Sequence, residues 1–336
     1  MDFQTKILLI TFAISVVLAL IIIPILKKLK VGQIERSDGP QSHLKKQGTP
    51  TMGGIIIIIA IIIVTIGAYL YYSKKGETEV AKNLIPILGL TVGFGVIGFI
   101  DDFKKLVLKN TKGLKPSFKM LGLLFISVAY VLYLLKGVDL GTETYIPFLK
   151  QYVSIPVFAY IPFAILVILG ATNAVNLTDG IDGLSSSVSV IIVTCLAIIG
   201  TILGVKEIVI FCSIVIGAIL GFLMFNLQPA KVFMGDTGSL FLGGVISGVA
   251  LYLKMPLLLL VIALIPVIET ISVIIQVASF KATGKRVFKM APIHHHLELS
   301  GWRENRIVIA FSVVTLIVCA FGLQIIWKNN YHLALL

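Results

Sequence analysis

The chain has 336 residues, of which 57% are hydrophobic and 13% charged, with a mean hydropathy of +1.03. A soluble domain carries about 25% charged residues, so a water-soluble globular fold is excluded. The formal net charge of +12 would suggest nucleic acid on a soluble chain; on this composition it reads as basic cytoplasmic loops, which could also meet anionic headgroups or an anionic substrate.

The sequence predicts an all-α polytopic membrane protein, a single integral domain over residues 1–336 with about ten transmembrane helices. The spans are 7–26, 53–72, 84–100, 120–136, 156–172, 185–203, 207–226, 239–254, 257–280 and 305–327. The first lacks a small-residue cleavage site after it and reads as a membrane helix, not a cleaved signal. The division between the eighth and ninth rests on a turn at "LKMP", Leu253 to Pro256. Loops after the odd-numbered spans carry six Lys and Arg in 27–52, six in 101–119, none in 173–184, one in 227–238 and six in 281–306, which is 19 of the 28. That face is expected to be cytoplasmic, with both termini outside. Cys195, Cys212 and Cys319 lie in apolar runs without metal-ligand spacing and read as core residues.

Five polar motifs fall on that same face. The first, "KKQGTPTMGG" at 45–54, precedes the second span, where Gly and Pro routinely punctuate a loop. "DDFKK" at 101–105 closes the third span. It is either an ordinary helix end or a functional pair. If the helix continues, Asp101 and Asp102 project about 100° apart and serve different roles, with Lys105 one turn from Asp101. "NAVNLTDGIDGL" at 173–184 spaces Asn173, Asn176, Asp179 and Asp182 by three. An Asx-rich turn accounts for its glycines, and grouping on one side would suit a cation or a heterocycle. "FMGDTGS" at 233–239 opens the eighth span with Asp236; Thr237 or Ser239 is a natural N-cap, and such an end also suits phosphate and Mg²⁺. Glu269 is an acid inside the ninth span, either a buried partner or a further site residue, near a kink expected at Pro266. "APIHHHLE" at 291–298 carries His294, His295 and His296. Three successive imidazoles fan out and rarely bind one ion, so acid–base or phosphate contacts fit as well as a metal site.

Carboxylates, few soft ligands, glycine-lined helix ends and surrounding lysines point to Mg²⁺-assisted phosphoryl transfer at a membrane surface. Together the five motifs resemble the phospho-N-acetylmuramoyl-pentapeptide-transferases, the MraY branch of the polyprenyl-phosphate N-acetylhexosamine 1-phosphate transferases, over essentially the whole chain. The resemblance implies transfer of phospho-MurNAc-pentapeptide from UDP-MurNAc-pentapeptide to undecaprenyl phosphate, yielding lipid I and UMP. It implies a Mg²⁺ requirement and a place in the bacterial cytoplasmic membrane, in peptidoglycan synthesis; a homodimer is compatible with it. By motif, Asp236 resembles the magnesium ligand, and Asp101 and Asp102 the catalytic aspartates. Asn176, Asp179, Asp182 and Phe233 resemble the nucleoside-binding part, and His294 to His296 the motif of the muramoyl branch. Lys46, Thr51, Lys105 and Lys119 resemble phosphate or lipid-head contacts. Phe103 departs from the tyrosine common in the family. A sister enzyme using UDP-GlcNAc is the nearest alternative and a membrane transporter a distant one; transporters hold ionisable groups near the midplane rather than at one rim.

Overall fold

The computed structural model describes residues 2–29, 46, 48–106, 108 and 113–333. Most of the loop between the first two spans lies outside them, with Lys30, Arg36, Lys45 and Gln47, as do Lys109 and Lys112 of the loop after the third.

Long apolar stretches form helices because a helix satisfies its own backbone polar groups in lipid. In chain order these are α1 (Phe3–Lys28), α2 (Gly54–Lys74), α3 (Thr78–Leu106), α4 (Pro116–Lys136), α5 (Val157–Thr178), α6 (Leu184–Ile202) and α7 (Lys206–Asn226). They continue with α8 (Gly235–Tyr252), a 3-10 turn (Pro256–Leu258), α9 (Leu259–Ile262), α10 (Leu264–Thr283), α11 (Ile293–Glu298) and α12 (Glu304–Leu333). Between α4 and α5 an antiparallel hairpin, β1 (Glu143–Ile146) and β2 (Gln151–Ser154), pairs Glu143 with Ser154 and Ile146 with Gln151. Its four-residue strands were not expected from the sequence.

Among the described residues, nine helices are long and apolar enough to cross a membrane: α1 to α7, α10 and α12. The remaining expected span is α8. Glycines, serines, Thr237 and Asp236 dilute its apolar content, and all its residues from Thr237 to Tyr252 are buried. It packs on α2, α3, α5 and α6, so its surroundings are protein. The outer helices instead expose large apolar side chains such as Leu20, Phe125, Ile274 and Ile317, as lipid-facing surfaces do.

Several segments differ from expectation, and three bear on the site; one is α5, which runs six residues past its expected end at Thr172 and keeps Asn173 and Asn176 helical. α3 runs six residues past the expected end at Ile100, which keeps Asp101 and Asp102 helical. The expected ninth span is broken at Ala263, where α9 stops and α10 starts. Pro266 has no N–H to give the carbonyl of Ile262, and its ring crowds that oxygen. The freed Ile262 carbonyl accepts instead from the Cys319 thiol of α12 at 3.6 Å.

Candidate active site

The described residues of the segments that follow α1, α3, α5, α7 and α10 converge at one end of the bundle, around the first turn of α8. Close approach of α3 to α8 depends on Gly98: a Cβ there would lie 2.2 Å from the carbonyl oxygen of Asp236. One turn further on, α3 presents its two aspartates.

They have different partners. Asp102 serves the N-terminus of α8: Oδ2 accepts from the Thr237 N–H at 2.9 Å and its hydroxyl at 2.7 Å, and Oδ1 from the Asp236 N–H at 3.3 Å. This is the work of a helix cap, done by a residue from another helix at the positive end of the dipole. Asp101 turns to the lysines. Its Oδ2 accepts from Lys105 Nζ at 2.8 Å and Lys119 Nζ at 3.2 Å, and its Oδ1 from the Leu114 N–H at 2.7 Å. Both lysines also hold Asp236, whose Oδ2 lies 2.7 Å from Lys119 Nζ and 3.2 Å from Lys105 Nζ. Asp236 Oδ1 accepts from Asn176 Nδ2 at 2.9 Å, and that amide reaches Ser239 Oγ at 2.8 Å.

Asp179, the residue after α5, completes the acid group by accepting from the Gly235 N–H; burial first, and then the charges of Asp236 and Asp102, push its carboxyl up to about 8. Among the described residues, the ammoniums that meet this acid group are those of Lys105 and Lys119, each bridging Asp101 and Asp236. A cluster with more carboxyls than ammoniums suits a divalent cation. The oxygens are hard ligands of the kind Mg²⁺ takes, and the Asp236 side chain, 21% exposed against 4% for Asp101, is the more open of the two that share the lysines. Among the described residues no three His, Cys, Asp or Glu are grouped closely enough to hold an ion. Magnesium commonly uses one or two carboxylates with water and substrate phosphates, so this arrangement fits it.

A second cluster adjoins the first. Lys46 Nζ contacts Asp182 Oδ1 at 2.7 Å and Glu304 Oε2 at 2.5 Å, and lies 6.0 Å from the centre of the Phe233 ring. Burial pulls the Lys46 ammonium down, but its bonds to Asp182 and Glu304 outweigh that and hold its pKa above the ordinary lysine value. Asp182 Oδ2 accepts from the Ala230 N–H at 3.0 Å. Thr51 is buried beside Gly235, in a segment bound by the Phe233 N–H to the Pro50 carbonyl and the Gly53 N–H to the Phe233 carbonyl, both at 2.8 Å.

The i, i+3 spacing does not gather its four members on one side. Asn173 is exposed and donates to the Leu169 carbonyl of its own helix at 2.7 Å. Asn176 and Asp179 meet the first cluster, whereas Asp182 turns to Lys46, because α5 ends at Thr178 and the helical period ends with it. The histidines diverge as well. His294 is fully buried, His295 Nδ1 lies 2.7 Å from Glu298 Oε2, and His296 Nδ1 accepts from the Lys289 N–H at 3.1 Å. Glu304 was missed in the sequence, where an acid opening a helix has a sufficient explanation in the dipole. Ser239 was read only as a cap.

Comparison with known proteins fits this geometry. The family model described as "Glycosyl transferase family 4" matches residues 84–254, and "Phospho-N-acetylmuramoyl-pentapeptide-transferase signature 1" matches 46–58. The chain is similar to proteins named phospho-N-acetylmuramoyl-pentapeptide-transferase. One from Clostridium botulinum is 50% identical over 94% of each chain. One from Clostridium perfringens is 51% identical over 92% of this chain and 94% of its own. One from Acetivibrio thermocellus is 45% identical over 93% and 92%, respectively.

Proposed function

Because this chain belongs to the phospho-N-acetylmuramoyl-pentapeptide-transferases within glycosyl transferase family 4, we propose that it moves phospho-MurNAc-pentapeptide from UDP-MurNAc-pentapeptide to undecaprenyl phosphate, giving lipid I and UMP. It is a multi-pass bacterial membrane protein. The observation that carries the proposal is the pair of lysines shared between Asp101 and Asp236 at the mouth of the bundle. Two ammoniums on carboxylates at a membrane rim are positioned to be taken over by phosphate oxygens.

Asp101 is the better base. Its Oδ2 accepts from Lys105 and Lys119, so a lipid phosphate that draws those lysines away uncovers an oxygen able to take its proton. Asp102 is committed to α8 and keeps Asp236 in place. The deprotonated lipid phosphate then attacks the β-phosphate of the donor, and UMP leaves. Asp236 would hold Mg²⁺, which would supply charge neutralisation at the diphosphate. Asn176 orients Asp236. Phe233, with Lys46 beside it, offers an aromatic face for uracil, and Asp182, bound to Lys46, and Asp179 are assigned to the nucleoside. Thr51 lines the segment beneath. His295 and His296 are assigned to the muramoyl side of the donor. The excess of Lys and Arg in the loops at this end supports a cytoplasmic site with both termini outside.

The test is UMP release by the purified protein in detergent with undecaprenyl phosphate, Mg²⁺ and either UDP-MurNAc-pentapeptide or UDP-GlcNAc. Release with the muramoyl donor alone, lost on chelation and in Asp236→Ala, is expected. Release only with UDP-GlcNAc would move the chain to the sister branch. Uptake into liposomes without UMP release would make it a transporter. A labelled phospho-enzyme would replace the direct attack with a two-step route through an aspartyl phosphate.

A further inference from the structure

Beneath the turn that carries Asp179 and Asp182 lies a buried acid–imidazole pair to which the proposed reaction gives no task. Glu269 of α10 and His294 of α11 are both fully buried, with Oε1 and Nδ1 3.1 Å apart. Among the described residues, neither the two carboxylate oxygens nor the two ring nitrogens make a well-aligned hydrogen bond. An apolar pair of similar volume would be at least as stable in such a place, so the gain is one of arrangement.

The surroundings say what is arranged. Only Ile265, Pro266, Glu269 and Ser272 of α10 are buried, which puts Glu269 on a narrow inner stripe. Two turns further on, Gln276 grips the returning chain. Its Oε1 accepts from the Val287 and Phe288 N–H groups at 3.0 and 2.9 Å, and its Nε2 donates to the Phe288 carbonyl at 3.0 Å. α10 therefore holds the segment leading into α11 at one height through Gln276 and at another through Glu269. The far side of the His294 ring rests on Gly180, where a Cβ would lie 2.1 Å from Nε2. The ring is a wedge between α10 and the turn bearing Asp179 and Asp182.

We propose that Glu269 is a positioning residue for donor binding: it fixes His294 against Gly180 and so sets the Asp179–Asp182 turn and the His295–His296 side of α11 relative to Asp236. This deepens the proposed function and rests on it. His294, closed off from solvent, acts through the turn and not on the donor.

The experiment measures UMP release against donor and lipid concentration for the full-length protein and for Glu269→Ala, Glu269→Gln, Gly180→Ala and the double variant Glu269→Ala with Gly180→Ala, each with its melting temperature. Glu269→Ala is expected to raise the donor KM about tenfold while kcat falls less than about threefold and the lipid KM stays put. Glu269→Gln, whose amide still reaches the ring, should recover most of the donor KM. Gly180→Ala should reproduce the defect, and the double variant should be no worse than the poorer single one, as for residues acting through one contact. A lowered melting temperature and kcat with both KM values unchanged would reduce Glu269 to a structural role and overturn the proposal. Wild-type protein silent with the muramoyl donor would remove the functional reading and this role with it. Wild-type release with an unaltered donor KM in all three single variants would remove this role alone.

Discussion

Asp101 and Asp102 are consecutive on α3, and the 100° step between them sends one to the lysines and the other to the backbone of α8. Their substitutions should therefore differ in kind. Asp101→Asn is expected to slow UMP release by roughly 10²–10⁴-fold, the range of a lost general base, with little change in melting temperature. Asp102→Ala should also destabilise the protein, by about 1–2 kcal/mol, because it strips a cap from buried N–H groups. Equal thermal effects from the two would contradict the division of labour. Asp179 makes a pH prediction. Its folded carboxyl titrates at about 8, above the reference value of 3.8, because of burial and then Asp236 and Asp102. The native state then holds a proton that the unfolded chain has released, so stability is full below about pH 4, falls as pH rises and levels off above about 8. Melting temperatures of wild type and Asp179→Asn, compared in chelator from pH 5 to 8, should converge at the acid end and separate in favour of the variant at the alkaline end. A constant difference would refute the shift.

At the scale of elements, the contact of α3 with α8 sets where Asp236 stands. Gly98→Ala would push a methyl group into the Asp236 carbonyl. Since a misplacement of about 1 Å can cost 10²-fold in rate, UMP release should fall by roughly that factor even where the variant folds. Full activity in a folded Gly98→Ala would mean α8 can shift without consequence. The sequence made this seam legible in its acids and not in its glycine. Asp101, Asp102 and Asp236 stood out because carboxylates at the end of an apolar run need a reason. Gly98 stood among apolar residues, where a small side chain has many explanations. Glu304 was hidden in the opposite way, an acid where acids are ordinary, and only folding brought it to Lys46. The break at Ala263 was half visible: Pro266 announced a kink, but its displacement by a turn follows from the Ile262 carbonyl and its contact with Cys319. The hairpin left no usable signal in strands of four residues.

For the molecule as a whole, the prediction concerns sidedness. The three native cysteines are buried, so new ones can be read against a quiet background. A cysteine replacing Lys285, after α10, should react with an impermeant maleimide only from the cytoplasmic side of sealed vesicles. One replacing Lys150, in the hairpin, should react only from the other. Reversed labelling would invert the orientation and put the proposed site on the wrong side for a cytoplasmic nucleotide.

The enclosed position of α8 also bears on how the molecule is made. Its sequence is too diluted with small and polar residues to join the nine helices that qualify as spans by themselves. A segment of that kind gains little by leaving the translocation machinery for bare lipid. All four helices against which it packs, α2, α3, α5 and α6, precede it on the nascent chain. The ribosome therefore delivers α8 when its berth is already standing, and membrane integration of this segment is an act of assembly. A chain shortened past α2 and α3 would lose much of that berth, and with it the means of seating the helix that carries Asp236.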